Sequence, residues 1–244
     1  MRTGSFTAMR GIAVMVLASG AVACGGDDAP TDGDPAAPPV IGISVNSYAP
    51  GQSPLETILP GMNANVLVSV IDPVTLAPVT EGVSAVANGI ALKPSLRQDI
   101  HTVPLGLPPG ARIDIAVTVN GVTYNATANQ LLTFPELITP AEGAVWNVDS
   151  AQMVAWSSAP AGADAQHLLT MISPTNQWPS TMGLQLPDVS QSFEIPAGQL
   201  IPESYTLVVS VKEKQPFAGA HPLSSFSLFG TAQRNVAVVP AMLP

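Results

Sequence analysis

From Ile41 onward, apolar side chains recur at every second position in short runs, the period of half-buried strands rather than of helices. Residues 64–71 (ANVLVSVI) are β-branched and apolar and stop at Asp72-Pro73. Residues 112–119 place Ile113, Ile115, Val117 and Val119 on one face, and 122–128 alternate Val122, Tyr124 and Ala126. Asn120-Gly121 joins these two runs, and a type I′ turn, which needs positive φ at both central residues, is what Asn-Gly supplies between alternating segments. A Pro-flanked stretch at 134–140 (FPELITP) marks a boundary. Beyond it, strands are predicted at 143–146, 152–156, 167–172, 192–195, 204–212 and 233–239, separated by Pro, Gly, Ser and Asp. Short strands at this spacing predict an all-β chain with two successive β-sandwiches, 40–133 and 134–244.

Composition agrees with that reading. The chain has 25 Pro and 20 Gly but only 10% charged residues, which favours short extended segments over helices, and 46% hydrophobic residues suffice for a substantial core. An internal match points to one architecture used twice. Val103-Pro104 followed by Ile113, Ile115, Val117 and Val119 aligns without a gap on Ile195-Pro196 followed by Tyr205, Leu207, Val209 and Val211, at a constant offset of 92 residues. That offset is about the size of one Ig-like unit.

Residues 137–211 resemble a bacterial fibronectin type III or related Ig-like domain. The residues that carry the likeness are Pro140 and Gly143 in the opening, Trp156 closing MVAW, the stretch Ser192-Phe193-Glu194-Ile195-Pro196, and Leu200, Pro202 and Tyr205 leading into TLVVSV. The resemblance implies that Trp156 packs across the sandwich and that Tyr205 hydrogen-bonds backwards at a corner. His167 stands in the strand where the family often has Tyr. In the first unit Leu107, Pro109 and Gly110 match, with Ile113 at the corner position. Such units bind partners or space other modules apart.

Ahead of the strands lies a segment of different character. Arg2 and Arg10 precede an uncharged run from Gly11 to Ala23, thirteen residues and so too short to span a bilayer as a helix. A basic start, a short apolar stretch and small residues describe a secretory signal at 1–23, complete whether translation starts at Met1 or Met9. The single cysteine, Cys24, follows Ala21-Val22-Ala23 directly. This resembles the lipobox of bacterial lipoproteins, which implies cleavage after Ala23 and acylation of Cys24, a membrane as partner through that lipid, and, with Gly25 next, the outer membrane as destination. Ala21-Val22-Ala23 also fits an ordinary signal peptidase site, the alternative being a secreted protein. Residues 25–39 (GGDDAPTDGDPAAPP) offer no large apolar side chain and read, with Cys24, as a disordered tether over 24–39.

Charge narrows the partners. Eight Lys and Arg stand against seventeen Asp and Glu, and six bases remain once the signal is removed. No basic cluster is present, which argues against nucleic acid as a partner, and an anionic lipid surface would not hold the chain without an anchor. Candidate chemistry is sparse. His101, His167 and His221 fall on separate segments without metal-site spacing, Asp32-Gly33-Asp34 lacks the later ligands of a calcium loop, and no Gly-x-Ser-x-Gly elbow or phosphate-binding loop occurs. Glu142, Asp149, Asp164 and Asp188 read as solvated turn acids, though a divergent hydrolase would draw its carboxylates from such turns. Neither a catalytic residue nor a metal nor a cofactor is expected. Among the tryptophans, Trp156 has a core position, while Trp178 in the polar loop SPTNQWPS, helped by Trp146, is the candidate ligand platform. The expected function is a non-catalytic envelope protein that binds another protein or acts as a spacer, with glycan binding as the alternative.

Overall fold

The computed structural model describes residues 37–56, 58–96, 99–108, 110–128, 134–157, 165–180, 183–186 and 191–240, all of them strands, turns or irregular segments. The described residues are all-β, as expected, and form two tandem Ig-like sandwiches. The first contains β1 (Val40–Tyr48), β2 (Ala64–Ile71), β3 (Val83–Ala87), β4 (Ile90–Ala91), β5 (Lys93–Pro94), β6 (Ile100–Leu105), β7 (Ile113–Val119) and β8 (Val122–Ala128). In it β1, β2, β6 and β5 form one layer, and β4, β3, β7 and β8 the other. The second contains β9 (Glu136–Thr139), β10 (Ala144–Asn147), β11 (Gln152–Ser157), β12 (Gln166–Ile172), β13 (Gln177–Trp178), β14 (Leu184–Leu186), β15 (Ser192–Ile195), β16 (Ser204–Gln215) and β17 (Ser225–Val239). Here β15, β11 and β9 face a layer built on β12, β16 and β17, with β10 parallel to the end of β17.

Sequence alternation becomes burial alternation. Ile41, Ile43 and Val45 on β1 and Val66 and Val68 on β2 are fully buried against Ile113, Ile115 and Val117 on β7. In the second unit Trp156, Leu169, Met171, Leu207 and Val209 form the corresponding core. Each inward side chain of this size removes roughly 1.5–3 kcal/mol worth of apolar surface from water, and that term holds the two layers together. The predicted hairpin is present: Val119 pairs with Val122, and Asn120 and Gly121 have φ of 49° and 83°. Asn88-Gly89 makes the same turn between β3 and β4, at φ of 46° and 80°.

The offset of 92 residues matches equivalent strands. β6 and β15 each pair with the second long strand of their unit, β2 and β11. β7 and β16 each lie between the third long strand and the last, β3 and β8 in one case, β12 and β17 in the other. Alternate residues of both are buried in register.

The larger departure from expectation is the length of β16 and β17. The predicted 204–212 and 233–239 extend to Gln215 and back to Ser225, giving an uninterrupted antiparallel hairpin paired from Ser204↔Ala237 to Gln215↔Phe226. Its far half pairs in parallel with β1, from Gly42↔Ser225 to Tyr48↔Thr231. Phe226, Leu228 and Val211 thereby enter the core of the first unit, while Leu207, Val209 and Val236 stay in the second. Polar bonds reinforce the seam: Ser47 Oγ donates to the Phe229 carbonyl at 2.7 Å, Ile41 N to Ser224 Oγ at 2.9 Å, and Gln233 N to Gln52 Oε1 at 2.8 Å. The result is one sheet of ten strands running through both units. Because β1 and β17 run parallel, the segment preceding Val40 enters at the end where the hairpin turns, and the second unit occupies the other end.

Tyr205 performs the role that the resemblance implies. Its side chain is buried and its hydroxyl accepts hydrogen bonds from Ile201 N at 3.3 Å, four residues upstream, and from Asn176 Nδ2 at 3.2 Å. The first unit has Ile113 at this place and fixes the preceding loop differently: Asn63 donates through Nδ2 to the Leu107 carbonyl and accepts Leu107 N at 2.8 Å. Tyr205→Phe is expected to lower the free energy of unfolding by about 1–2 kcal/mol, since it leaves the Ile201 amide without its acceptor. Chemical denaturation of the two proteins measures this directly.

Candidate binding surfaces

Cys24, Ala21, Val22 and Ala23 lie outside the described residues, as do the rest of the expected tether up to Ala36 and two of the turn acids, Asp164 and Asp188. The remaining candidates are placed as follows. Trp146 is 7% exposed, on β10 against β17, and belongs to the second core; its ring presents almost no surface to a ligand. Trp178 is half-buried on the edge strand β13, opposite Met171. Its ring leans on Phe193 with centroids 6.1 Å apart, and its Nε1 donates to Gln199 Oε1 at 3.3 Å. The two tryptophans are therefore not brought together as one platform.

The loop carrying Trp178 is tied to the body of the second unit. Ser173 and Thr175 hydroxyls both donate to the Glu203 carboxylate, and Ser173 Oγ accepts Asn176 N at 2.9 Å. Hydrogen bonds from Ser173 first, then Thr175, pull the Glu203 pKa below its ordinary value. Beside this loop an open groove of 650 Å³ is lined by Gly143, Ser173, Ser204, Tyr205, Thr206 and Asn235, among others. Glu142 borders it and accepts Asn235 Nδ2 at 2.9 Å and Asn235 N at 3.1 Å. Hydroxyl and amide groups with a carboxylate at the rim suit a hydroxyl-bearing ligand. The groove lies at the end of the long hairpin opposite Val40. Sequence pattern did not single it out, because its residues come from four separate strands and loops.

The histidines are dispersed, and among the described residues no three His, Cys, Asp or Glu side chains gather as a metal site would require. His221 Nδ1 accepts Leu223 N at 3.1 Å in the turn of the long hairpin. His167 is buried, its ring 5.7 Å from that of Trp156. His101 is buried on the inner face of β6 opposite Val68, and desolvation lowers its pKa from the ordinary 6.5. A histidine depressed in the folded state binds a proton more readily when unfolded. Stability is therefore full above 6.5 and declines as pH falls through that value toward the folded pKa. Denaturation midpoints at about pH 7.5 and about pH 5 are expected to differ less in His101→Leu than in the parent chain, which isolates this group.

No protein-family model matches the chain, and no curated protein does. Solved structures with some likeness are of Ig-like type. A PKD domain from human KIAA0319 is 21% identical, covering 46% of this chain and 88% of that one at a TM-score of 0.27. The fibronectin(III)-like modules of Clostridium thermocellum CbhA are 9% identical, covering 83% and 96% at 0.27. Bacteroides ovatus SGBP-B, solved in complex with a mixed-linkage heptasaccharide, is 10% identical, covering 72% and 53% at 0.23. At scores of this size the fold assignment rests on the strand order itself. Among the described residues no helix is long and apolar enough to cross a membrane.

Proposed function

We propose that this chain is an exported lipoprotein whose two fused sandwiches form a stiff, non-catalytic post that carries a binding end away from a bacterial membrane. Acyl chains on Cys24 anchor it, each buried methylene adding about 0.8 kcal/mol of membrane affinity, and residues 25–39 form the leash. The observation that carries the reading is the direction of the long hairpin. β17 has 15 residues, about 50 Å at the usual rise, and pairs with β1 at one end and β10 at the other. The leash therefore joins one end, and the groove lined by Ser173, Ser204 and Asn235 occupies the opposite end, facing outward from the membrane. The outer membrane is the expected site, and an envelope protein or a glycan the expected partner.

The test is mass spectrometry of the N-terminal peptide combined with proteolysis of intact cells. The expected result is an acylated peptide beginning at Cys24 and release of the protein from the membrane fraction by Cys24→Ala. A mature peptide with unmodified Cys24, or without it, together with free protein in the medium, overturns the anchor and leaves a secreted protein.

A further inference from the structure

The long sheet has an outward face that the post alone does not explain. Register across six strands places Gln166, Lys212, Phe229, Asn46, Asn65 and Pro104 in one row. The next row reads Lys214, Ser227, Ser44, Leu67, Thr102 and Lys93. These twelve positions hold three lysines, no carboxylate, six amide or hydroxyl side chains and three apolar ones, in a chain with seventeen acids and eight bases. Glu213 lies between the two lysines on β16, and strand alternation turns it to the opposite face, where its Oε1 accepts Gln215 Nε2 at 3.1 Å.

Lys212 is half-buried with its ammonium 5.8 Å from the centroid of the Phe229 ring, while Lys214 and Lys93 are exposed. Among the described residues none of the three forms an ion pair; the Arg112–Asp114 pair lies on β7, in the other layer. Burial first, and then the like charge of Lys214, lower the Lys212 pKa, and an anion held between the two lysines would oppose both by favouring the charged form. Neighbouring strands are about 4.8 Å apart, so the row from Lys214 to Lys93 covers roughly 24 Å.

We propose that this face binds an acidic polysaccharide, a chain of hydroxyl-bearing sugars with repeated carboxylate or sulfate groups. The anionic groups pair with Lys212 and Lys214 at one side and Lys93 at the other. Sugar hydroxyls meet Gln166, Ser44, Asn46, Asn65 and Thr102 between them. Two features favour a glycan over an acidic peptide. Backbone groups in the interior of this sheet are already engaged with neighbouring strands, so no strand can be added there. Widely spaced single charges separated by hydrogen-bonding groups also suit a polymer whose own charges are spaced by hydroxyls. The proposal is independent of the lipid on Cys24.

Affinity electrophoresis of the full mature chain through gels containing polygalacturonate, with dextran as the neutral polymer, tests this. Retardation by polygalacturonate alone is expected, abolished at about 1 M salt, where the Debye length is about 3 Å. The double variant Lys212→Gln/Lys214→Gln is expected to lose roughly tenfold in affinity while keeping the parent's thermal midpoint; Lys93→Gln loses less. Equal retardation by dextran, no retardation by polygalacturonate, or retardation unchanged in the double variant overturns the proposal. So does equal or stronger binding to poly-glutamate or to phosphatidylglycerol vesicles, which would assign the face to an acidic peptide or a lipid surface.

Discussion

Phe226→Ala is expected to destabilise the first sandwich by about 3–5 kcal/mol, although Phe226 lies in the last strand of the chain. The ring is 1% exposed and packs into the core formed by β1, β2 and β7, next to Leu228 and opposite Ile43 across the β1–β17 pairing. Removing it creates a cavity in a core whose other walls belong mostly to residues before 129. Because β17 is hydrogen-bonded to β1 and to β16, the first unit cannot lose this strand without exposing one side of the second. A single unfolding transition is therefore expected for the whole chain, and hydrogen exchange should show the amides of β1 and β2 losing protection along with those of β16. Phe226→Leu, which keeps most of the volume, is expected to cost less than half as much. If β2 amides in Phe226→Ala retain the protection of the parent, the two units are not energetically joined through this hairpin.

The joint explains which parts of the fold the sequence displayed and which it did not. β2, β7 and β8 were legible because each has one face in a core and one in solvent, so their side chains alternate cleanly. The Asn120-Gly121 turn was legible because its backbone requires positive φ at both residues. The segment 225–232 (SFSLFGTA) carries no such signature. It lies between β16 and β1 in the middle of the sheet, and residues on both its faces are buried from Phe226 to Ala232. A strand covered on both sides has no reason to alternate, and small polar residues such as Ser227 and Thr231 are tolerated there because neighbouring side chains satisfy them, as Ser210 does for Thr231 at 2.9 Å. The lysine-bearing face was equally hidden. Lys93 is far in sequence from Lys212 and Lys214, and only the parallel pairing of β1 with β17 puts it on their surface. Tyr205 and Trp156, by contrast, were legible through family resemblance, since their roles depend on local position within one unit.

Trp156→Ala is expected to cost about 3–5 kcal/mol, and comparison with Trp156→Phe separates packing from hydrogen bonding. Trp156 is fully buried in the second core, tilted 52° to the His167 ring. Its Nε1 and both nitrogens of His167 are buried with no hydrogen-bond partner among the described residues. A buried unpaired donor costs about 1–3 kcal/mol, so the indole contributes through its apolar area while its N–H opposes that gain. Phenylalanine gives up part of the area but removes the unpaired donor. Its net cost is expected to be within about 1 kcal/mol of zero, far below that of alanine. His167→Phe applies the same argument to two unpaired atoms at the place where Val211 of the first core and Val209 of the second adjoin on β16. It replaces a polar ring by an apolar one of similar size and is expected to raise the unfolding midpoint. Thermal denaturation of the three variants checks the order Trp156→Ala below Trp156→Phe below His167→Phe. A loss in His167→Phe comparable to that of Trp156→Ala would mean that the imidazole nitrogens do have partners and hold the two cores together.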